Sequence, residues 1–213
     1  MVRVVAIDGP AGAGKSTVAR ALARRLGLEY LDTGAMYRAV TFAAVHRGIP
    51  LDDTAQIGQL SREVTLTVDE RGVVVDGIDA TAQIRSTEIT GSVSAVAANS
   101  EVRAEMRARQ RDWAEVRGGG VIEGRDIGSV VFPDAALKLY LTASPRVRAE
   151  RRVAEAGGDV DDIERAIAAR DDSDSSRADS PLREADGSVV LDTSGLSIEA
   201  VLSAIEGLLN IPK

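Results

Sequence analysis

Residues 9–17 read Gly9-Pro10-Ala11-Gly12-Ala13-Gly14-Lys15-Ser16-Thr17. This is a G-x-x-x-x-G-K-[ST] pattern. It follows the apolar run Val2-Arg3-Val4-Val5-Ala6-Ile7 and precedes a helical pattern. Strand, glycine loop and helix, in that order, form the context in which the pattern holds phosphate. The glycines let the backbone come close to the anion, and successive N–H groups with the helix N-terminus point at it. Lys15 is placed to reach the β- and γ-phosphates, and Ser16 to ligate Mg²⁺. The chain is therefore expected to bind a nucleoside triphosphate.

Composition narrows what else it can do. A chain of 213 residues makes one domain, or one domain with small insertions. Its 44% hydrophobic and 28% charged residues are ordinary for a soluble globular protein. The absence of cysteine excludes disulfides, thiolate catalysis and cysteine metal sites. A net charge of −7 argues against a nucleic-acid-binding surface, so an anionic ligand needs a local cationic pocket. Only Lys15, Lys138 and Lys213 are lysines among the 26 basic residues. The single histidine, His46, ends a helical pattern and reads as a surface or capping residue, which argues against a histidine triad or zinc site. The first apolar run is too short for a targeting signal, and no stretch reaches the ~20 apolar residues of a membrane span. A cytoplasmic protein is expected.

Five short apolar runs, at about 2–8, 28–32, 120–123, 137–142 and 188–192, read as buried parallel strands. Helical patterns fall near 15–26, 34–47, 86–117, 145–156, 159–171 and 197–209. The alternation predicts an α/β fold with a five-stranded parallel sheet flanked by helices. Ligands on such sheets bind at the carboxyl ends of the strands. Two segments depart from the rhythm. Residues 63–80 alternate, turn at Asp69-Glu70-Arg71-Gly72 and resume a β-branched run, which predicts an inserted antiparallel hairpin. Residues 143–172 read as two arginine-bearing helices joined at Gly157-Gly158-Asp159, which suits a lid, with a plain helical hairpin packed on the sheet as the alternative.

Three further motifs stand beside or after strands. In Leu31-Asp32-Thr33-Gly34-Ala35-Met36-Tyr37-Arg38, Asp32 or Thr33 could be an ordinary helix cap. One turn on, Tyr37 and Arg38 could offer an aromatic face and a guanidinium to a second substrate. In Glu123-Gly124-Arg125-Asp126-Ile127-Gly128, Arg125 can clamp phosphate bidentately and Asp126 can accept from a base amino group, unless the two form a structural pair. Arg170, Asp174 and Arg177 recur at spacings of four and three and are expected on one helix face, as a binding set or an ion-pair ladder. The long helical region also carries Ser94 and Arg103.

Together these motifs resemble the bacterial cytidylate kinases, within the nucleoside monophosphate kinases, over essentially the whole chain. The carriers are Ile7 through Thr17, Leu31 through Arg38, Glu123 through Gly128 with Val131-Phe132-Pro133-Asp134, and Arg170-Asp171-Asp172 through Arg177. The first marks only a superfamily; the others are specific in this order and spacing. The resemblance implies a P-loop NTPase fold with a core of 1–56, 118–144 and 173–213. It also implies a monophosphate-binding insertion at about 57–117 and a short helical lid at about 145–172. It implies γ-phosphoryl transfer from ATP, with Mg²⁺, to CMP or dCMP in a monomeric enzyme.

The resemblance also assigns roles. Residues Gly9–Thr17 hold the ATP phosphates, and Lys15, Arg125 and Arg177 act on the transferring group. Thr33 stands where the family usually has a serine that contacts the cytosine amino group; Asp126 and Arg103 match cytosine-reading positions. Arg38, Arg125 and Arg177 match arginines that hold the monophosphate, and Ser94, Arg170 and Asp174 lie near the ribose. Tyr37 completes the acceptor set. Ser173 and Ser175 stand where some relatives carry arginine. Arg148, Arg151 and Arg152 share a face of the first lid helix and are candidates for the transferring phosphate. A P-loop kinase for UMP, AMP or a metabolite is the nearest alternative. A GTPase is disfavoured because neither asparagine, Asn99 or Asn210, lies in an N-K-x-D motif.

Overall fold

The computed structural model describes residues 3–209, so Val2 of the first expected strand, Asn210 and Lys213 lie outside the described residues. The chain divides into two compact units, one built from the segments before Tyr30 and after Arg117, the other from Tyr30–Arg117. The parallel sheet has five strands in the order β2-β6-β1-β7-β8. These are β1 (Arg3–Asp8), β2 (Tyr30–Asp32), β6 (Gly119–Glu123), β7 (Leu137–Thr142) and β8 (Val189–Asp192).

In the first unit β1 is central, pairing Ile7 with Glu123 of β6 and with Leu139 of β7. Val4, Val5, Ala6 and Ile7 are all buried, as expected for a parallel strand covered on both faces. Gly119 lets β6 approach: at its φ of 132°, a Cβ would lie 2.1 Å from the Arg3 carbonyl oxygen. Helix α1 (Lys15–Leu26) buries Val18, Ala19, Leu22 and Ala23 and stops at Gly27 in the left-handed region. Helices α6 (Pro145–Ala156) and α7 (Val160–Ser175) pack as a hairpin, and α8 (Ile198–Leu208) packs on α1.

The second unit carries α2 (Thr33–His46), α3 (Thr54–Glu63), α4 (Thr87–Ala98) and α5 (Ser100–Arg117). A three-stranded antiparallel sheet joins them: β3 (Leu66–Asp69), β4 (Gly72–Val75) and β5 (Ile78–Asp79). The expected hairpin is thus present with one further short strand.

Three local expectations are corrected. The helix expected over 86–117 is two helices broken at Asn99, which is extended. The Asn99 side chain caps α5 by accepting from the Glu101 and Val102 N–H groups, and it donates to the Thr54 carbonyl. A cap of this kind stabilises a helix start by about 1 kcal/mol. Helix α3 was not anticipated; it starts at Asp53, whose side chain accepts from the Gln56 N–H. Finally, α7 runs to Ser175 with Ser176 as its cap. Arg170 and Asp174 therefore lie on the helix, whereas Arg177 follows its end.

Candidate active site

The loop between β1 and α1 is shaped by backbone that only glycine adopts easily. Gly9 has φ 144°, and a Cβ there would fall 1.9 Å from the Leu141 carbonyl oxygen. Gly14, left-handed at φ 86°, is the N-cap of α1 and provides no side-chain cap. The first N–H groups of α1, at Lys15, Ser16 and Thr17, thus start a helix whose positive end suits an anion. Lys15 is 7% exposed, and its Nζ donates to the Pro10 carbonyl at 2.8 Å. Burial pushes the Lys15 ammonium down to about 7, and the Arg125 charge adds to this against the opposing pull of Glu123 and Asp8.

The loop is also braced from the α6–α7 hairpin. Arg148 donates to the Ala11 and Ala143 carbonyls and pairs with Asp171. Asp171 in turn accepts from the Ala11 N–H at 3.4 Å. Arg151 binds the Thr193 hydroxyl and carbonyl, and that hydroxyl donates to the Ala13 carbonyl. Arg152 pairs with Glu155 on its own helix. Arg148 and Arg151 are therefore struts of the loop. Sequence patterns do not reveal this, because their acceptors are backbone carbonyls distant in the chain.

Beside the loop lies a cluster of arginines. Arg125 Nε donates to Asp174 Oδ2 at 2.8 Å, and Arg177 pairs with the other oxygen of the same carboxylate. Asp174 is 1% exposed. Burial pushes its carboxyl up, but the Arg125 and Arg177 charges outweigh this and hold it below the usual carboxylate range. Asp174 thus pairs with Arg177, as an ion-pair ladder would have it, and with Arg125 from a distant segment. Arg170 is mostly buried, and its Nε has no hydrogen-bond partner. Burial and the Arg125 charge lower its pKa. Asp126 is buried between Arg125 and a π-helical turn, Ile127–Val131.

The second unit gathers another set. Asp32 is the cap of α2, accepting from the Ala35 N–H at 3.0 Å, so Thr33 is the first helical residue, and it is buried. Tyr37 follows one turn later. The Arg103 guanidinium sits 5.5 Å from the Tyr37 ring centroid and donates to the Ala97 carbonyl. Arg103 is 1% exposed, an unusual setting for an arginine. Arg38 donates to the Ile84 carbonyl at 3.1 Å and to the Thr90 hydroxyl at 2.8 Å. Thr90 and Ser94 are one turn apart on α4, which packs on α2. Thr90 was missed by sequence reasoning; its only signal is that spacing from Ser94.

Comparison with known proteins accounts for this set of motifs. The family model described as cytidylate kinase matches residues 5–210. A cytidylate kinase of Limosilactobacillus fermentum is 47% identical, covering 95% of this chain and 93% of that protein. One of Mycobacterium leprae is 48% identical, covering 96% and 94%. The match recurs within a bifunctional pantoate ligase/cytidylate kinase of a Synechococcus species, 48% identical over 96% of this chain and 45% of that protein. Among solved structures, a gluconokinase of Sinorhizobium meliloti superposes with a TM-score of 0.53 at 15% identity, covering 98% of this chain and 93% of that one. A shikimate kinase of Bacteroides thetaiotaomicron gives 0.50 at 15% identity, covering 98% and 99%. These two establish a shared kinase fold and nothing finer. The whole-length identity establishes more: the chain belongs to the cytidylate kinase family.

Proposed function

We propose that the protein transfers the γ-phosphoryl group of ATP to CMP and dCMP, giving ADP with CDP or dCDP. The observation that carries this reading is the group of cations at Lys15, Arg125, Arg170 and Arg177. Burial and the Arg125 charge both disfavour the charged forms of Lys15 and Arg170, and Arg170 Nε is buried without a partner. Such a cluster gains most when phosphate oxygens enter it.

The nucleophile is a phosphate oxygen of the monophosphate. Its second pKa near 6 leaves it largely ionised near neutral pH. It needs no general base, so no histidine is required at the site. Catalysis is then alignment and charge stabilisation. Residues Gly9–Thr17 hold the ATP phosphates. Arg38, Arg125 and Arg177 hold the monophosphate, and Lys15, Arg125 and Arg177 stabilise charge on the transferring group. Ser94, Arg170 and Asp174 serve the ribose, and Asp174 also sets the directions of Arg125 and Arg177. Thr33, Tyr37, Arg103 and Asp126 are the residues assigned to cytosine. The cytosine amino group donates to Asp126, whereas the uracil carbonyl would face an acceptor. Discrimination of this kind reaches about 10⁴-fold.

Ser16 is a half-exposed hydroxyl in the first turn of α1. It fits magnesium, a hard cation that takes oxygen ligands and keeps most of its coordination for water and phosphate. Ser16 would hold the ion there, and positive charge beside the triphosphate is the chemistry it would supply. Among the described residues no helix is long and apolar enough to cross a membrane.

The test is ADP release from Mg-ATP with CMP, dCMP, UMP and AMP offered separately at equal concentration. Turnover with CMP and dCMP, and little with the others, is expected. Turnover only with UMP or AMP would keep the kinase and reject the cytosine reader.

A further inference from the structure

Asp8 ends β1 and directly precedes Gly9 of the phosphate loop. It is 3% exposed, and both its oxygens are used. Oδ1 accepts the Ile127 N–H at 2.8 Å, and Oδ2 accepts the Gly128 N–H at 2.7 Å. Those two donors are the residues immediately after Arg125 and Asp126. On the other side of this pair, the Gly124 N–H donates to the Ile7 carbonyl at 3.0 Å. The segment then turns so that the Val130 and Val131 N–H groups close on the Asp126 carbonyl. Arg125 and Asp126 are therefore held from both flanks, and the flanking ties at Gly124, Ile127 and Gly128 run to the last two residues of β1.

A charge is an expensive way to make such a tie. Burial pushes the Asp8 carboxyl up to about 6, against the pull of the two amide hydrogen bonds. An asparagine of the same shape would avoid burying a charge. It has only one acceptor oxygen, however, and would turn an NH₂ towards the second N–H. Only a carboxylate serves two parallel donors.

We propose that Asp8 is a positioning residue that fixes Arg125 and Asp126 relative to the phosphate loop, so that the acceptor is aligned with the donor phosphates through one carboxylate. This rests on the reading of Arg125 and Asp126 as CMP-binding residues. One β1 residue thereby sets the register of both substrates.

The test is Asp8→Asn. One of the two N–H groups loses its acceptor, and the Arg125-Asp126 turn loosens. The expected result is a fall of about tenfold or more in kcat/KM for CMP, because small misplacements of reacting groups are costly. The preference for CMP over UMP should fall by a similar factor. Asp8 also supports the charge on Lys15, an effect common to all acceptors that cancels in the CMP/UMP ratio. A merely structural role would lower the melting temperature and scale CMP and UMP alike; an unchanged ratio overturns the proposal. A second readout is independent of turnover: NMR amide exchange at Ile127 and Gly128 without substrate. Both amides should be protected in the natural protein and exchange faster in Asp8→Asn, with Gly124 unaffected. Fast exchange of both in the natural protein overturns the tie, even if the variant does not fold. If the natural protein turns over no CMP, the acceptor reading fails, and exchange alone then decides the Asp8 tie.

Discussion

The two units hold their arginines by different means. In the first, Arg125 and Arg177 share the buried carboxylate of Asp174, which fixes both guanidiniums and cancels part of their charge. In the second, the Ile84 carbonyl and Thr90 hydroxyl direct Arg38, while the Ala97 carbonyl and the Tyr37 ring direct Arg103. A carboxylate orients a guanidinium strongly and weakens its pull on an incoming phosphate, whereas a neutral acceptor adds direction alone. The Asp174 centre suits groups that must sit accurately where phosphoryl transfer occurs. The bonds to Ile84, Thr90 and Ala97 add direction to Arg38 and Arg103.

The largest effect should come from the cation of the phosphate loop itself. Lys15 is held by a single backbone carbonyl and lies beside Arg125 and Arg170. Lys15→Met should lower kcat by about 10³-fold or more, the scale of removing a principal charge stabiliser. CMP binding, measured by calorimetry, should remain near normal. Near-normal turnover would dismiss the phosphate-loop assignment.

Asp174→Asn tests the carboxylate-centred arrangement. The side chain keeps its shape, but two buried guanidiniums lose their shared counter-charge. Leaving a buried charge without its partner costs about 3 kcal/mol, a fall of roughly 6–12 °C in melting temperature for a chain of this size. Activity with CMP should drop by about 10²-fold as Arg125 and Arg177 repel one another out of line. An unchanged melting temperature with full activity would mean that Asp174 does not organise the cluster.

Thr90→Val is the matching test in the second unit. It removes the hydroxyl acceptor of Arg38 and leaves the Ile84 carbonyl. The loss of one such bond in a half-buried setting is worth about 1 kcal/mol. KM for CMP should rise about fivefold with kcat little changed, because a grip is loosened while the reacting centre stays in place. A fall in kcat alone would show that Arg38 acts on the transferring group, and the contrast between the two units would collapse.

What the sequence made legible follows from the range over which each feature is encoded. The phosphate loop is contiguous, and its neighbours β1 and α1 have unmistakable periodicity, so loop, strand and helix were readable together. The apolar runs of β6 and β7 were readable for the same reason. The break at Asn99 was hidden because the apolar pattern continues on both sides and the capping bonds interrupt it without a glycine or proline. Helix α3 was hidden by its length and its polar composition. The roles of Asp8, Thr90 and Arg148 were hidden for a stronger reason. Each depends on a partner far along the chain: Ile127 is 119 residues from Asp8, Arg38 is 52 from Thr90, and Ala11 is 137 from Arg148. Arg125 and Asp126 were readable as a candidate pair, but not that Arg125 turns to Asp174.

A change in no residue at all also probes the first unit, through the proton on Lys15. With its ammonium pushed down to about 7, the unliganded protein is only about half protonated there at pH 7. A bound triphosphate brings negative charge to Lys15 and favours its charged form. Binding of Mg-ATP should therefore take up a proton: about half of one at pH 7, and nearly one at pH 8 provided the bound pKa lies well above 8. The sign follows from linkage: a ligand whose binding takes up protons binds more weakly as pH rises, so ATP affinity should decline by up to tenfold per unit above pH 7. Calorimetry in two buffers of different ionisation enthalpy measures the uptake directly. Lys15→Met should abolish it, whereas Thr90→Val should leave it intact. No proton uptake in the natural protein would mean that Lys15 is already fully charged before ATP arrives. Its neighbours Glu123 and Asp8 would then outweigh burial and Arg125, and the first unit would be closer to neutral than its arginines suggest.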